Sequence, residues 1–339
     1  MLYTKPVKNH FDDYEFYKHF KKIVTNRNHD KIDISGLNIS TYIRILVKEL
    51  RLETHIRFLN IDNCIISHKG INKLLQAIQK NTTLEKFKFS GIKMTNKNVY
   101  ELIQVINKNE FIKKLDISGS VINNLMIGPL TQAIMTNTTI TSLNVSDMKL
   151  GESGINKFFE AIAWNTGLKK FIIRNNNSDK KCSILTLKLI NFNKTLEILD
   201  MSMNNLDVCL VTMILNFDIY ETLSQLKKIN MSHNNIRCRL YCSLILQYIN
   251  KTPLRELDLS YNNLDGKCIP TIIKYLSRDG PLQKIILSGI TNVTQEQLEM
   301  YQHFLATTNK EIICDEIDNT LMQQKCNTHM TKSAKKIIK

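Results

Sequence analysis

At 339 residues, with 43% hydrophobic and 23% charged side chains, the chain has the composition of a globular protein, which excludes a disordered or fibrous one. Its formal net charge of +15 admits nucleic acid, an anionic membrane or an acidic protein as partner, although a joint enrichment in Lys, Asn and Ile makes a chain basic without any partner. No apolar run approaches the roughly 18 residues of a membrane span, and the opening MLYTKPVKNHFDDYEFYKHF lacks a secretory pattern. A soluble cytoplasmic protein is therefore expected, with its eight scattered cysteines reduced.

Residues 1–28 are expected to form an N-terminal helical cap. Within them DDYEFYKHFKKIV, residues 12–24, places Phe16, Phe20, Ile23 and Val24 on one helical face, with Asp12 or Asp13 as N-cap. From His29 to residue 309 the chain then repeats itself about ten times. An irregular unit, HDKIDISGLNI, precedes nine that begin at 56, 84, 112, 140, 168, 196, 226, 254 and 282, a step of 28 broken once by a 30.

Positions 1, 4, 6 and 11 of each unit are apolar, as at Leu254, Leu257, Leu259 and Leu264, or Leu196, Leu199, Met201 and Leu206. Alternation around positions 4 and 6 has the period of a short strand with one buried face. The second half of the unit changes period: in HKGINKLLQAIQKN, Ile71, Leu74, Leu75 and Ile78 recur as the buried stripe of a helix. The helices stop at Asn81, Asn109, Asn137, Asn165 and Asn193, a residue type that tolerates the left-handed turn closing a helix. Such a unit buries its apolar face only against copies of itself. Residues 310–326 are expected as a C-terminal cap adding an edge strand, and 327–339 as a basic flexible tail, the whole forming a single domain.

Chemistry is not legible in this pattern. No phosphate loop, HExxH, GxSxG or paired CxxC motif is present, and the eight histidines do not cluster. Cys238 and Cys242, one helical turn apart, lack the second pair a zinc site needs and read as ordinary buried thiols. Position 7 is serine in eight units, without an accompanying base, so its hydroxyls are assigned to hydrogen-bonding neighbouring backbone. No catalytic residue, metal or cofactor is expected.

The frame LxxLxLxxN/CxL, filled by LRELDLSYNNL and by IRFLNIDNCII with Cys64 in the Asn/Cys slot, resembles a leucine-rich repeat. The 28-residue step, the helix and the NTTL and NTTI lead-ins resemble the ribonuclease-inhibitor-like subfamily, shared with Ran-type GTPase activators and innate-immune receptors. The resemblance implies an α/β solenoid, a horseshoe with a parallel sheet on its concave face and helices on its convex face. It also implies that Asn176, Asn204, Asn234 and Asn262 bond backbone in their turns, which should be looser where Leu37, Ile92, Ser120 or Met148 fills the slot.

In such a fold a partner meets positions 2, 3, 5, 7 and 8, expected to face solvent. Over ten units these hold 13 basic and 10 acidic residues, a nearly balanced face, so most of the net charge is assigned to the convex side and the tail. That balance argues against a ribonuclease inhibitor's acidic surface and against a lysine-lined nucleic-acid groove. Weak electrostatic contact with RNA or an anionic membrane through the convex side and basic tail stays open. At position 8, Met203, His233 and Tyr261 form a stripe flanked by Asp200, Asn230 and Asp258, which we take as the contact for a protein partner. Arg174, replacing the position-7 serine, marks either a second contact or a loose loop, with Ser178 at position 11 of the same unit. The reading is of a monomeric, non-catalytic protein-binding scaffold. Its alternatives are a Ran-type GTPase activator, against which the basic tail speaks, and a host-directed effector of an intracellular parasite or virus, delivered into a host cell.

Overall fold

The computed structural model describes residues 13–25, 29–52, 55–176, 193–205, 225–236, 253–277, 280–315 and 317. Leu206, Cys238, Cys242, Ser178 and the tail 327–339 lie outside the described residues. The chain divides into two compact units, the first running to Asn176 with Asn193–Leu196 added, the second taking in Glu197 onward.

The first unit opens with α1 (Asp13–Thr25). Phe20 and Val24 are buried, and the Phe20 ring lies against Tyr42 at 5.9 Å between centroids. Six three-residue strands follow, β1 (Lys31–Asp33), β2 (Phe58–Asn60), β3 (Lys86–Lys88), β4 (Lys114–Asp116), β5 (Ser142–Asn144) and β6 (Lys170–Ile172), parallel and in sequence order. Their register aligns Ile32, Leu59, Phe87, Leu115, Leu143 and Phe171 in one buried row, the position-4 residues of the repeat. Between the strands stand α2 (Ile43–Arg51), α3 (His68–Lys80), α4 (Asn96–Lys108), α5 (Asn124–Thr136) and α6 (Gly151–Trp164), each packed on the next. The stripe Ile71, Leu74, Leu75 and Ile78 of α3 is fully buried, so the helical period of the sequence points where it should.

The second unit repeats the plan with β7 (Ile198–Asp200), β8 (Lys228–Asn230), β9 (Glu256–Asp258), β10 (Lys284–Ile286) and β11 (Glu311–Ile313), each of these five parallel to the next. Its described helices are α7 (Ile269–Leu276) and α8 (Gln295–Thr307). The last described strand, β11, is held from behind where the Tyr301 hydroxyl donates to the Ile312 carbonyl at 2.8 Å.

The asparagines ending the helices do something other than expected. Asn81, Asn109, Asn137 and Asn165 have φ between −70° and −86° and extended ψ, so none is left-handed. Each side chain instead joins two coils. Asn109 Nδ2 donates to the carbonyls of Ile78 (2.8 Å) and Asn81 (2.9 Å) one coil earlier, and its Oδ1 accepts from the N–H groups of Phe111 and Ile112 (both 2.9 Å). Asn165 and Asn193 repeat that set, with Asn81 and Asn137 donating to Leu50 and Ile106. The amide is selected because it offers a donor and an acceptor at once to buried backbone that regular structure leaves unpaired.

One further expectation is corrected. Cys64 and Cys314 are free and buried, but Cys268 is disulfide-bonded, so the cysteines are not all reduced thiols.

Candidate functional site

The turn leaving each strand is built from positions 5, 7, 8 and 9. At position 5, Asp200 and Asp258 accept from the backbone N–H of Ser202 (3.1 Å) and Ser260 (2.9 Å) and from the same serines' hydroxyls. Asn230 accepts the N–H of Ser232 at 2.9 Å. The position-7 serines thus serve the carboxylate that caps their own N–H. Ser146, Ser202, Ser232, Ser260 and Ser288 are buried, so in those five coils position 7 leaves the solvent face assigned to it above, whereas Ser35 and Arg174 are exposed. Asp200, Asn230 and Asp258 are half-buried and have an oxygen committed to the turn.

Position 9 holds the turn from inside. Asn262 Nδ2 donates to the carbonyls of Leu259 (2.9 Å) and of Met231 one coil earlier (3.0 Å), while its Oδ1 accepts from Ile236 N–H at 3.1 Å. Asn176, Asn204 and Asn234 make the same kind of contact, as the resemblance implied. In the first unit Cys64 donates to the Ile34 carbonyl at 3.0 Å, and burial pushes its thiol up to about 11. Ile92 and Met148 are buried and fill the slot by packing. The turns in those units are not loosened, for Gly91 and Asp147 still donate across at 2.7 and 2.9 Å.

Position 8 is where the coils differ. Its N–H donates to the position-7 carbonyl of the next coil, as Met203 does to Ser232 (3.0 Å), His233 to Ser260 (2.9 Å) and Tyr261 to Ser288 (2.6 Å). Every described position 8 has positive φ. Most coils meet this with Gly, Asn or Asp: Gly36, Asn63, Gly91, Gly119, Asp147, Asn175 and Gly289. At Gly91 a Cβ would fall 2.0 Å from the Asn63 side-chain oxygen, so even the space is closed there. Met203, His233 and Tyr261 adopt φ of 59°, 52° and 53° despite having full side chains. Histidine enters this region more readily than most residues, whereas Met and Tyr pay about 1–2 kcal/mol each.

These three lie in the turns leaving adjacent strands of one unit and are exposed, Met203 by 41% and Tyr261 by 50%. The His233 and Tyr261 rings stack, with centroids 4.4 Å apart and planes 17° from parallel. The stripe expected from sequence is thus assembled in the second unit. Arg174 is exposed at the end of β6 in the first unit, its N–H bonded to Ser146 Oγ at 3.1 Å, whereas the other six residues belong to the second unit. The positive φ was the signal missed in the sequence; a column rich in Gly, Asn and Asp was its trace.

The family described as Leucine Rich repeat matches residues 192–208 and 250–267. A leucine-rich repeat-containing protein of Legionella pneumophila, LegL7, is similar in structure at 16% identity and a TM-score of 0.52, over 84% of this chain and 91% of that one. An internalin of Listeria monocytogenes aligns at 14% identity and a TM-score of 0.46 over 88% of both chains. The tropomodulin C-terminal domain of Caenorhabditis elegans aligns at 18% and 0.38, over 44% of this chain and 89% of that one. A search of the curated proteins finds no match. The 28-residue frame, its Asn and Cys turns and the parallel strand-and-helix coils, with the family match over those two segments and the likeness to LegL7, give the chain the leucine-rich repeat fold.

Proposed function

We propose that the chain is a non-catalytic scaffold that binds a protein partner through the stripe of Met203, His233 and Tyr261. The observation that carries this is the placing of three large side chains, exposed and side by side, at a backbone conformation that seven other coils give to Gly, Asn or Asp. Strain of this kind persists where function holds it, and Tyr is enriched at interface centres. Leucine-rich repeat proteins commonly mediate protein–protein interaction, which fits the same reading. Asp200, Asn230 and Asp258 contribute as the fixed floor beneath the stripe, since each has an oxygen tied to its turn.

The test compares affinity capture by the native chain with capture by a variant carrying Met203→Gly, His233→Gly and Tyr261→Gly. Gly is compatible with all three φ values, so the fold is kept. A partner held by the native chain and released by the variant is the expected result; an identical captured set overturns the proposal. Arg174→Ala, in the other unit, is expected to leave that partner bound. The reading is of a monomer acting in the cytoplasm, checked by light scattering and cell fractionation; the Cys268 disulfide, of a kind rare in that compartment, speaks against the second point. As a scaffold it should leave GTP turnover by small GTPases unchanged.

A further inference from the structure

The charge of the sheet face is balanced in total but not in place. In the second unit the lysines are paired across coils: Lys227 with Glu197 at 2.7 Å, Lys228 with Glu256 at 2.6 Å and Lys284 with Glu311 at 3.3 Å. In the first unit the residues around β3 to β6 enclose an open cleft of about 420 Å³ lined by Lys86, Lys88, Lys114, Lys169 and Lys170, with Asp116 the one acidic side chain of the lining; of these lysines Lys88 is paired across coils with Asp62 at 3.2 Å. Asp116 is already engaged by Ser118 (2.6 Å) and Asn144 (3.1 Å). Lys86 and Lys114 are register partners on β3 and β4, an arrangement in which like charges face each other at a cost. Lys86 turns its ammonium over the Phe58 ring, 4.8 Å from the centroid, rather than to a carboxylate.

We propose that this cleft is a second binding site, taking an extended, acidic segment of a protein partner. Lysines at positions 3 and 5 stand two residues apart along a strand, about 6.6 Å, and about 4.8 Å apart between strands. That two-dimensional grid suits the carboxylates along one face of an extended chain. Single-stranded nucleic acid asks instead for exposed aromatic platforms between the cations, and the cleft's aromatic, Phe87, is fully buried. An acidic segment also relieves the Lys86–Lys114 repulsion, so the conflict left in the free sheet becomes part of the binding.

The cleft is built by residues of the first unit and the stripe by residues of the second, so each proposal is tested by its own substitutions and can fail without the other. Anisotropy of a fluorescent glutamate-rich peptide is measured at low and high salt with the native chain, with Lys114→Glu/Lys170→Glu, and with Lys73→Glu/Lys97→Glu, which alters exposed lysines of α3 and α4. The first variant is expected to weaken binding by at least about tenfold, a loss equivalent to about 1.4 kcal/mol, and the helix variant to leave it unchanged. Lys114→Glu sets a carboxylate opposite Lys86, so the cleft variant should match or exceed the native urea midpoint. The Met203, His233 and Tyr261 glycine variant should bind the peptide as the native chain does. Equal loss in both lysine variants, no loss in the first, no binding by the native chain, or tighter binding of an RNA of equal charge overturns the proposal.

Discussion

Replacing Asn109 by alanine removes one rung of the asparagine ladder, and the structure indicates its cost. Four bonds are lost, but they do not count equally. The Ile78 carbonyl keeps a second donor in Asn81 N–H at 3.1 Å, and the Phe111 N–H belongs to a residue 41% exposed, within reach of water. The Ile112 N–H has neither recourse, since that residue is 2% exposed, and the Asn81 carbonyl sits under the same buried side chain. Two buried groups left without partners, at about 1–3 kcal/mol each, put the loss at roughly 3 kcal/mol. Urea unfolding followed by far-UV circular dichroism measures it, with Asn107→Ala as the control at an exposed position of α4 expected to stay within about 0.5 kcal/mol. Asn109→Asp supplies the sign of the electrostatics. Its carboxylate faces two carbonyls in a buried site, so its folded pKa should rise above the unfolded value of about 3.9. That variant should be most stable below the unfolded pKa and lose stability as pH climbs through the folded one. If Asn109→Ala unfolds at the midpoint of Asn107→Ala, the ladder is not what ties the coils together.

Two further outcomes follow from the turns. Burial raises Cys64 from 9.0 to about 11, so at about pH 8 its thiolate should be roughly a hundredfold scarcer than in an ordinary cysteine, and thiol reagents should label it only after unfolding. Because the folded value lies above the unfolded one, this thiol's contribution to stability is whole below pH 9.0 and declines towards about pH 11; Cys64→Ser should flatten that part of the profile. At position 8, Met203→Asn should raise stability by about 1 kcal/mol through relief of the positive φ. Tyr261→Asn should gain less, because it also gives up the stack on His233, worth about 0.5–1.5 kcal/mol. Urea midpoints report both, and a loss above about 1 kcal/mol at Met203 would falsify the account of strain.

The repeat was legible because its core needs only periodicity. Apolar residues at positions 4 and 6 have one partner set, the same positions one coil away, and the 28-residue step names it. Asn81 and Asn109 were recognised as helix ends but misassigned, because their function lies between coils and not along the chain. A single unit offers a left-handed closure as an explanation; only the stacked neighbour reveals carbonyls awaiting a donor. Position 8 was read as a surface choice when it is first a backbone choice, which makes Gly and Asn there uninformative and Met203 and Tyr261 more telling than their exposure alone. The count of 13 basic against 10 acidic residues averaged two units of different character, and so hid the lysines around Lys114. The disulfide at Cys268 had no trace in the spacing of the cysteines.

The asparagine ladder also gives the stack a direction. Each rung reaches back to the helix of the coil before it, so the end of α3 is completed by Asn109 of the following coil and the end of α4 by Asn137. A chain made from its N-terminus therefore carries an unfinished helix end at its growing edge until about one more repeat has emerged. Shortening the protein from the C-terminal side reopens such an end, whereas at the other end the ladder loses only the acceptors of a side-chain amide. The order in which the coils are laid down is the order in which they are sealed.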